Sequence, residues 1–207
     1  MSLILVANPK GGAGKSTLST NLATWFAWQQ QNVALADLDR QQSAARWLQL
    51  RPIQFPAIQP WDIDEDNLPD APPSDCDVGI IDSPAGLRGK RLDALLRVVD
   101  RIVVPVQASL FDMSASEDFF ARLAEEKRVR KGKVKVAAVG MRVKEGTRAA
   151  QELVGFLDRF DLPVLGYLRD TQYYVQTLPR GLGIFDLPAS RTGKDVEQWR
   201  DILEWMK

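Results

Sequence analysis

The segment "NPKGGAGKST", Asn8 to Thr17, decides how the chain is read. It follows the apolar run Leu3–Ala7 and precedes a long amphipathic stretch, the pattern of a strand, a glycine-rich turn and a helix start. Gly14-Lys15-Ser16 is the core of a phosphate-binding loop. Glycines let the backbone curl tightly and bring its N–H groups up to phosphate oxygens. The helix start adds a partial positive charge. In this setting Lys15 reaches the β- and γ-phosphates, and the Ser16 hydroxyl ligates Mg2+. One such loop needs one lysine, yet Lys10 stands in it as well. Pro9 occupies the place where the plain motif has its first glycine.

Two further apolar runs end in acids. "VALADLD" ends at Asp37 and Asp39, and "VGIIDSP" carries Asp82. In an open parallel sheet, ligands bind beyond the carboxyl ends of the strands, so these acids point to where the loop presents its phosphates. Asp82 suits the task of polarising water on a metal ion. The competing role of a strand-end aspartate is to cap a turn.

Short apolar runs alternate with longer amphipathic ones along the chain, the signal of an α/β fold with a mostly parallel twisted sheet covered by helices on both faces. The expected strands are Leu3–Ala7, Val33–Asp37, Val78–Asp82, Arg101–Val106, Val134–Val139 and Val164–Leu168. The expected helices are Ser16–Gln30, Ser43–Leu50, Arg88–Val99, Ser114–Arg130, Arg148–Phe160 and Thr192–Met206. Arg51 to Asp77, with Pro52, Pro56, Pro60, Pro69, Pro72 and Pro73, reads as a loop-rich connection with one short strand near Ala57–Gln59. The expectation is one domain over residues 1–207, a single-domain P-loop NTPase.

Composition narrows the chemistry. With 207 residues and 45% hydrophobic content, the chain can bury a sizeable core. Lysine plus arginine and aspartate plus glutamate both number 27, so no whole-chain charge signals a nucleic-acid protein, although a local basic patch remains open. There is no histidine, which removes histidine bases and the usual zinc sites. The single cysteine, Cys76, cannot form a disulfide within the chain or hold an iron–sulfur cluster, so a cytoplasmic protein is expected. No run approaches the roughly 20 apolar residues of a membrane span.

Lys10-Gly11-Gly12-Ala13-Gly14-Lys15-Ser16-Thr17 resembles the deviant Walker A motif of the ParA/MinD family of ATPases, closest to its short ParA-type members. The resemblance implies a slow, partner-stimulated ATPase with Mg·ATP as cofactor and a nucleotide-sandwich homodimer in the ATP state. Residues Lys10 to Thr17 would contact the nucleotide, with Lys10 reaching across to the nucleotide of the other subunit. Asp37-Leu38-Asp39 resembles the family's D-x-D, which makes Asp39 the residue that positions the attacking water and places Asp37 close to the metal shell with Ser16 and Asp82. Lys10, Lys15 and Asp39 are thus the implied catalytic set. The family often continues with proline and glutamine; here Arg40 replaces the proline, so a differently set switch segment is expected. "VGMRVKEGT", Val139 to Thr147, lies where the family contacts adenine, so Met141 and Arg142 are candidates. The match is looser through "VPVQASLFDMSASEDF" from Val104, at the family's dimer interface, and "LGYLRDTQYYVQTLPRGLGIFD" from Leu165. As in the short ParA proteins, no DNA-reading domain is expected before the first strand.

The cations of "EEKRVRKGKVKV", among them Lys127, Arg128, Arg130 and Lys131, can bind a phosphate backbone without reading sequence, as can Arg142, Lys144 and Arg180. The same charges also suit a solvated helix end. Short ParA proteins bind nonspecific DNA, which implies a nucleoid-associated protein that segregates a plasmid, a chromosome region or a protein cargo with a ParB-like or adaptor partner. Alternative implied roles are a MinD-like membrane switch and a nucleotide-binding accessory of a secretion or polysaccharide machine. The last helix carries three positive and four negative charges from Lys194 to Lys207, a poor match to anionic lipid, so its apolar stripe is expected in the core and no membrane partner is expected.

Overall fold

In the computed structural model, which describes residues 1–63 and 71–207, seven strands form one parallel sheet. Pro69 and four acids of the proline-rich connection (Asp64, Glu65, Asp66, Asp70) lie outside the described residues. In chain order the first half runs β1 (Ser2–Val6), α1 (Lys15–Trp28), β2 (Val33–Asp37), α2 (Ser43–Gln49), β3 (Gln59–Pro60), β4 (Val78–Asp82) and α3 (Gly89–Leu96). The second half runs β5 (Arg101–Gln107), α4 (Leu110–Glu125), α5 (Lys127–Arg130), β6 (Lys135–Val143), α6 (Arg148–Leu157), β7 (Val164–Arg169), α7 (Gln172–Thr177), α8 (Ala189–Glu197) and α9 (Arg200–Met206).

The strand order is β3-β2-β4-β1-β5-β6-β7. The central strands read as continuous apolar runs because both of their faces are covered. Leu3 and Leu5 of β1 pack with α3, α4 and α6 on one face, while Ile4 and Val6 pack with α1, α2, α7 and α9 on the other. From β1 the chain runs outward to β2 and β3, returns to β4 beside β1, and then crosses past β1 to β5 on its other side. The loop after β1 therefore opens at the point where a doubly wound sheet has its ligand crevice.

Two expected helices divide. The Ser114–Arg130 helix starts earlier, at Leu110, because Ser109 caps it: its hydroxyl accepts from the Asp112 N–H at 3.2 Å. It ends at Glu125, where Glu126 turns to φ −67°, ψ 129°, and α5 follows. The Thr192–Met206 helix becomes α8 and α9, with Gln198 and Trp199 between them. Trp199 is fully buried at this joint and donates its indole N–H to the Tyr174 hydroxyl at 2.8 Å. Ile202 and Met206 are also buried, so the apolar stripe of the last helix faces the core as expected. The short strand lies at Gln59–Pro60, at the end of the expected span. β6 runs four residues past the expected end, since pairing with β5 and β7 carries it through Gly140 and Arg142. Helix α7 and the 3-10 turns Leu178–Arg180 and Ile184–Asp186 form in a stretch for which no helix was expected; six residues capped by Thr171 are too short to show a helical period.

Candidate nucleotide site

The phosphate loop is held from below by Asn8. Its side-chain amide, fully buried, donates to the Pro105 carbonyl at 2.8 Å and the Ser116 hydroxyl at 2.9 Å. Its Oδ1 accepts from the Lys10 N–H at 2.8 Å. One side chain therefore ties the loop to β5 and α4. The Gly86 N–H donates to the Pro9 carbonyl at 2.8 Å, which joins the loop after β4 to the same turn.

Gly14 takes φ 99°, a left-handed value open to glycine, and precedes α1. A Cβ there would lie 2.9 Å from the Met141 Cε. No side chain caps α1 and no acid stands in its first turn, so its leading N–H groups remain available to an anion. Lys15 is buried and donates its ammonium to the Lys10 carbonyl at 3.0 Å. Burial lowers its pKa, against the opposing pull of Asp82 and Asp39. Lys10 itself is exposed, with no ion pair among the described residues.

The acids fall into three different jobs. Asp37 and Asp82 are register partners on β2 and β4, side by side at the carboxyl end of the sheet. Asp82 is fully buried: Oδ1 accepts from the Ser19 hydroxyl at 3.3 Å, and Oδ2 has no hydrogen-bond partner among the described residues. Burial pushes its pKa up to about 7; the Ser16 hydroxyl, Lys15 and Ser19 pull it down, and Asp37 pushes it further up. A buried carboxylate oxygen without a donor, beside a loop hydroxyl and an ammonium, fits a divalent cation or its water. Asp37 is committed to the backbone. Its Oδ2 accepts from the Ala44 and Ala45 N–H groups at 2.7 and 3.0 Å, and its Oδ1 from the Asp39 N–H at 2.9 Å. It thus caps α2 in place of Gln42, whose left-handed backbone (φ 48°) takes no part in side-chain capping. Asp39 bridges two loops, accepting from the Gln41 N–H at 2.9 Å and the Ala85 N–H at 3.2 Å. Arg40 is exposed between them.

Beside the loop lies a cavity of about 260 Å³ whose walls include Gly14, Thr17, Met141, Arg142, Arg169 and Tyr174. Met141 forms its buried floor under Gly14, and Arg142 stands exposed at φ 52°. Arg169 is fixed by two bonds to the buried Asp195 carboxylate, at 2.5 and 2.7 Å.

Residues 4–183 match the family described as the CobQ/CobB/MinD/ParA nucleotide binding domain. The chain belongs to this family. Over 192 residues it is 29% identical to maintenance of carboxysome distribution protein A of Halothiobacillus neapolitanus, which covers 90% of this chain and 88% of that one. Its fold resembles apo McdA of Cyanothece, with TM-score 0.74 and 15% identity over 98% of this chain and 99% of the other. It also resembles cobyrinic acid a,c-diamide synthase of Mycobacterium smegmatis bound to an ATP analogue and magnesium, with TM-score 0.63 and 18% identity over 94% and 98% of the two chains.

For a CobQ/CobB/MinD/ParA domain, the basic residues singled out in the sequence lie apart. Arg142 and Lys144 lie at the carboxyl end of β6, toward the nucleotide loop, whereas Arg180 follows α7 and precedes Gly181, which packs on Leu50 and Arg51 at the far end of α2. Lys144 approaches Asp170 at 3.7 Å. Lys127, Arg128, Arg130 and Lys131 precede β6, at the other end of a nine-residue strand, about 27 Å away at the usual rise. Arg128 is half-buried and donates to the Arg97 carbonyl, which gives it a structural task. Asn8, Asp195 and Arg169 escaped the sequence reading. Asn8 had a signal, a polar residue inside the quoted loop; Asp195 and Arg169 meet only through the fold. Among the described residues no helix is long and apolar enough to cross a membrane.

Proposed function

We propose that this chain is an ATPase that binds Mg·ATP, pairs face to face with a second copy in the ATP state, and hydrolyses slowly until a partner protein stimulates it. The observation that carries this reading is the division of labour between two lysines of one loop. Lys15 turns inward to its own loop's carbonyl, while Lys10 projects from the same loop with no ion pair among the described residues. An exposed cation beside a phosphate site is suited to a phosphate held by another chain, in the manner of an arginine finger.

Ser16 and Asp82 would hold the metal, which supplies charge neutralisation at the phosphates. Lys15 and the N–H groups of α1 bind the phosphate chain, Met141 and Arg142 border the base, and Asp39 orients the attacking water. Asp37 supports Asp39 by fixing the turn between them. Phosphoryl transfer depends mostly on placement and charge stabilisation, so a weakly basic aspartate suffices for that role.

The likeness to a carboxysome-distribution protein favours a protein assembly as the cargo, recruited through an adaptor and moved over the nucleoid. ATP-dependent binding to nonspecific DNA would draw on Arg142, Lys144 and Arg180. Arg142 and Lys144 lie on the nucleotide side, where pairing of two copies doubles their charge. Light scattering after size exclusion tests the reading: Mg·ATP should convert monomer to dimer, and Lys10→Ala should bind ATP yet remain monomeric. A wild-type and Asp39→Ala protein that both stay monomeric in saturating Mg·ATP would sink it.

A further inference from the structure

A second cavity is remote from the phosphate loop. It lies at the amino ends of β6 and β7, has a volume of about 500 Å³, and is walled by Phe120, Leu123, Val134, Val136, Leu162 and Trp205. That volume lies within the usual range for a ligand pocket. Phe120, Leu123 and Val134 are buried residues of one core layer, and Trp205 packs against the other, so the cavity sits where the two layers meet below the sheet.

Val129, Gly132, Val134 and Lys135 of a basic segment border it, and Lys135 is the one cation among its lining residues. Between Lys127 and Lys135 the chain has six cations and no acid. Lys127, Arg130, Lys131, Lys133 and Lys135 are exposed and have no ion pair among the described residues. Lys135 itself lines the cavity, and its register partner on β5 is Arg101. The Arg101 guanidinium lies over the Trp205 ring, 5.9 Å from the centroid. Its Nε is buried without a hydrogen-bond partner among the described residues. Asp161 is the single acid in the wall.

We infer that this cavity is a docking pocket for an acidic segment of a partner protein that inserts a large apolar side chain between Phe120 and Trp205. An apolar hole bordered on one side by a basic segment selects a ligand with the complementary layout, an apolar anchor with a negative flank. A DNA duplex matches only half of this layout. Its phosphates would meet the lysines, but it has no side chain to fill the hole. The site lies at the opposite end of the strands from the phosphate loop, so it stands or falls independently of the ATPase reading.

The test uses fluorescence anisotropy with the full chain and labelled synthetic peptides of fifteen residues. One has a Leu-Phe-Leu centre flanked by Asp and Glu, a second carries Lys in the flanks, and a third has Ser in the centre; a DNA duplex is the fourth probe. The acidic, apolar-centred peptide should bind saturably below about 1 mM, and the other two peptides should not. Ala124→Trp, which fills the mouth, and the double variant Lys133→Glu/Lys135→Glu should each weaken it at least about tenfold, with the thermal midpoint close to wild type. These residues are exposed, so the second variant keeps the test open if the first misfolds. Equal binding of the Lys-flanked peptide, indifference to both variants, or no binding of the acidic peptide at 1 mM would overturn the proposal. So would a duplex that binds through Lys133 and Lys135 when the peptide does not.

Discussion

The Lys15 ammonium donates to the backbone carbonyl of Lys10 at 3.0 Å, so one lysine of the phosphate loop is anchored by the main chain of the other. The two side chains consequently serve different directions. Lys15→Ala should abolish ATP binding. Lys10→Ala keeps the carbonyl that Lys15 uses, so its ATP affinity should stay within about threefold of wild type, well under 1.4 kcal/mol, while hydrolysis and the ATP-dependent dimer are lost. Isothermal titration and light scattering separate the two. Equal loss of ATP binding in both variants would refute the division.

Asp39→Ala should accumulate the ATP-bound dimer and slow turnover by about 100-fold, the usual scale for a misplaced reacting group. The aspartate also accepts from the Gln41 and Ala85 N–H groups. Asp39→Asn keeps one of these two acceptor oxygens, so it should lower the thermal midpoint less than Asp39→Ala while still losing turnover. Normal turnover in Asp39→Asn would remove Asp39 from the catalytic set.

Asp82 sets a pH dependence on the metal-free protein. Its folded pKa, about 7, lies above the ordinary aspartate value of 3.8, so the folded state holds this proton where the unfolded chain releases it. The stabilisation is complete below about pH 4 and is lost as pH rises through about 7. In magnesium-free, nucleotide-free buffer the melting temperature should fall over this window, and Asp82→Asn should flatten the fall. An identical slope in wild type and variant would contradict it.

The Arg51–Asp186 ion pair, 2.9 Å apart with both side chains almost wholly buried, locks the end of α2 to the turn after α7. Asp186 also accepts from the Trp28 indole and the Gly183 N–H. Arg51→Ala leaves that carboxylate buried without its cation and should cost about 3–5 kcal/mol in urea unfolding. The double change Arg51→Met/Asp186→Leu should cost less than Arg51→Ala alone. A loss below 1 kcal/mol for Arg51→Ala would argue that water reaches the pair.

Gly14→Ala places a side chain at φ 99° and a Cβ 2.9 Å from Met141. The backbone part costs about 1–2 kcal/mol. Adding Met141→Ala should recover only the contact part, leaving ATP affinity below wild type; full recovery would mean that the backbone strain is negligible.

Much of this arrangement was legible in the chain itself. The strands Val33–Asp37 and Val78–Asp82 appear at the expected residues because strands buried on both faces are continuous apolar runs, a local signal. Glycine, lysine and serine between β1 and α1 marked the phosphate site because that chemistry needs adjacent residues. The tertiary structure decided what depends on distant partners. It made Asp37 a cap for α2 and left Asp82 Oδ2 without a donor. It clamped the loop through Asn8 to residues about a hundred positions away, and it set Arg142 and Lys144 at one end of β6 and Lys127 and Arg128 at the other. It also broke the last helix at Trp199, whose burial against Tyr174 outweighs the helical period. Sequence periodicity records which face of an element is buried; which side chain meets which is settled only when the layers pack.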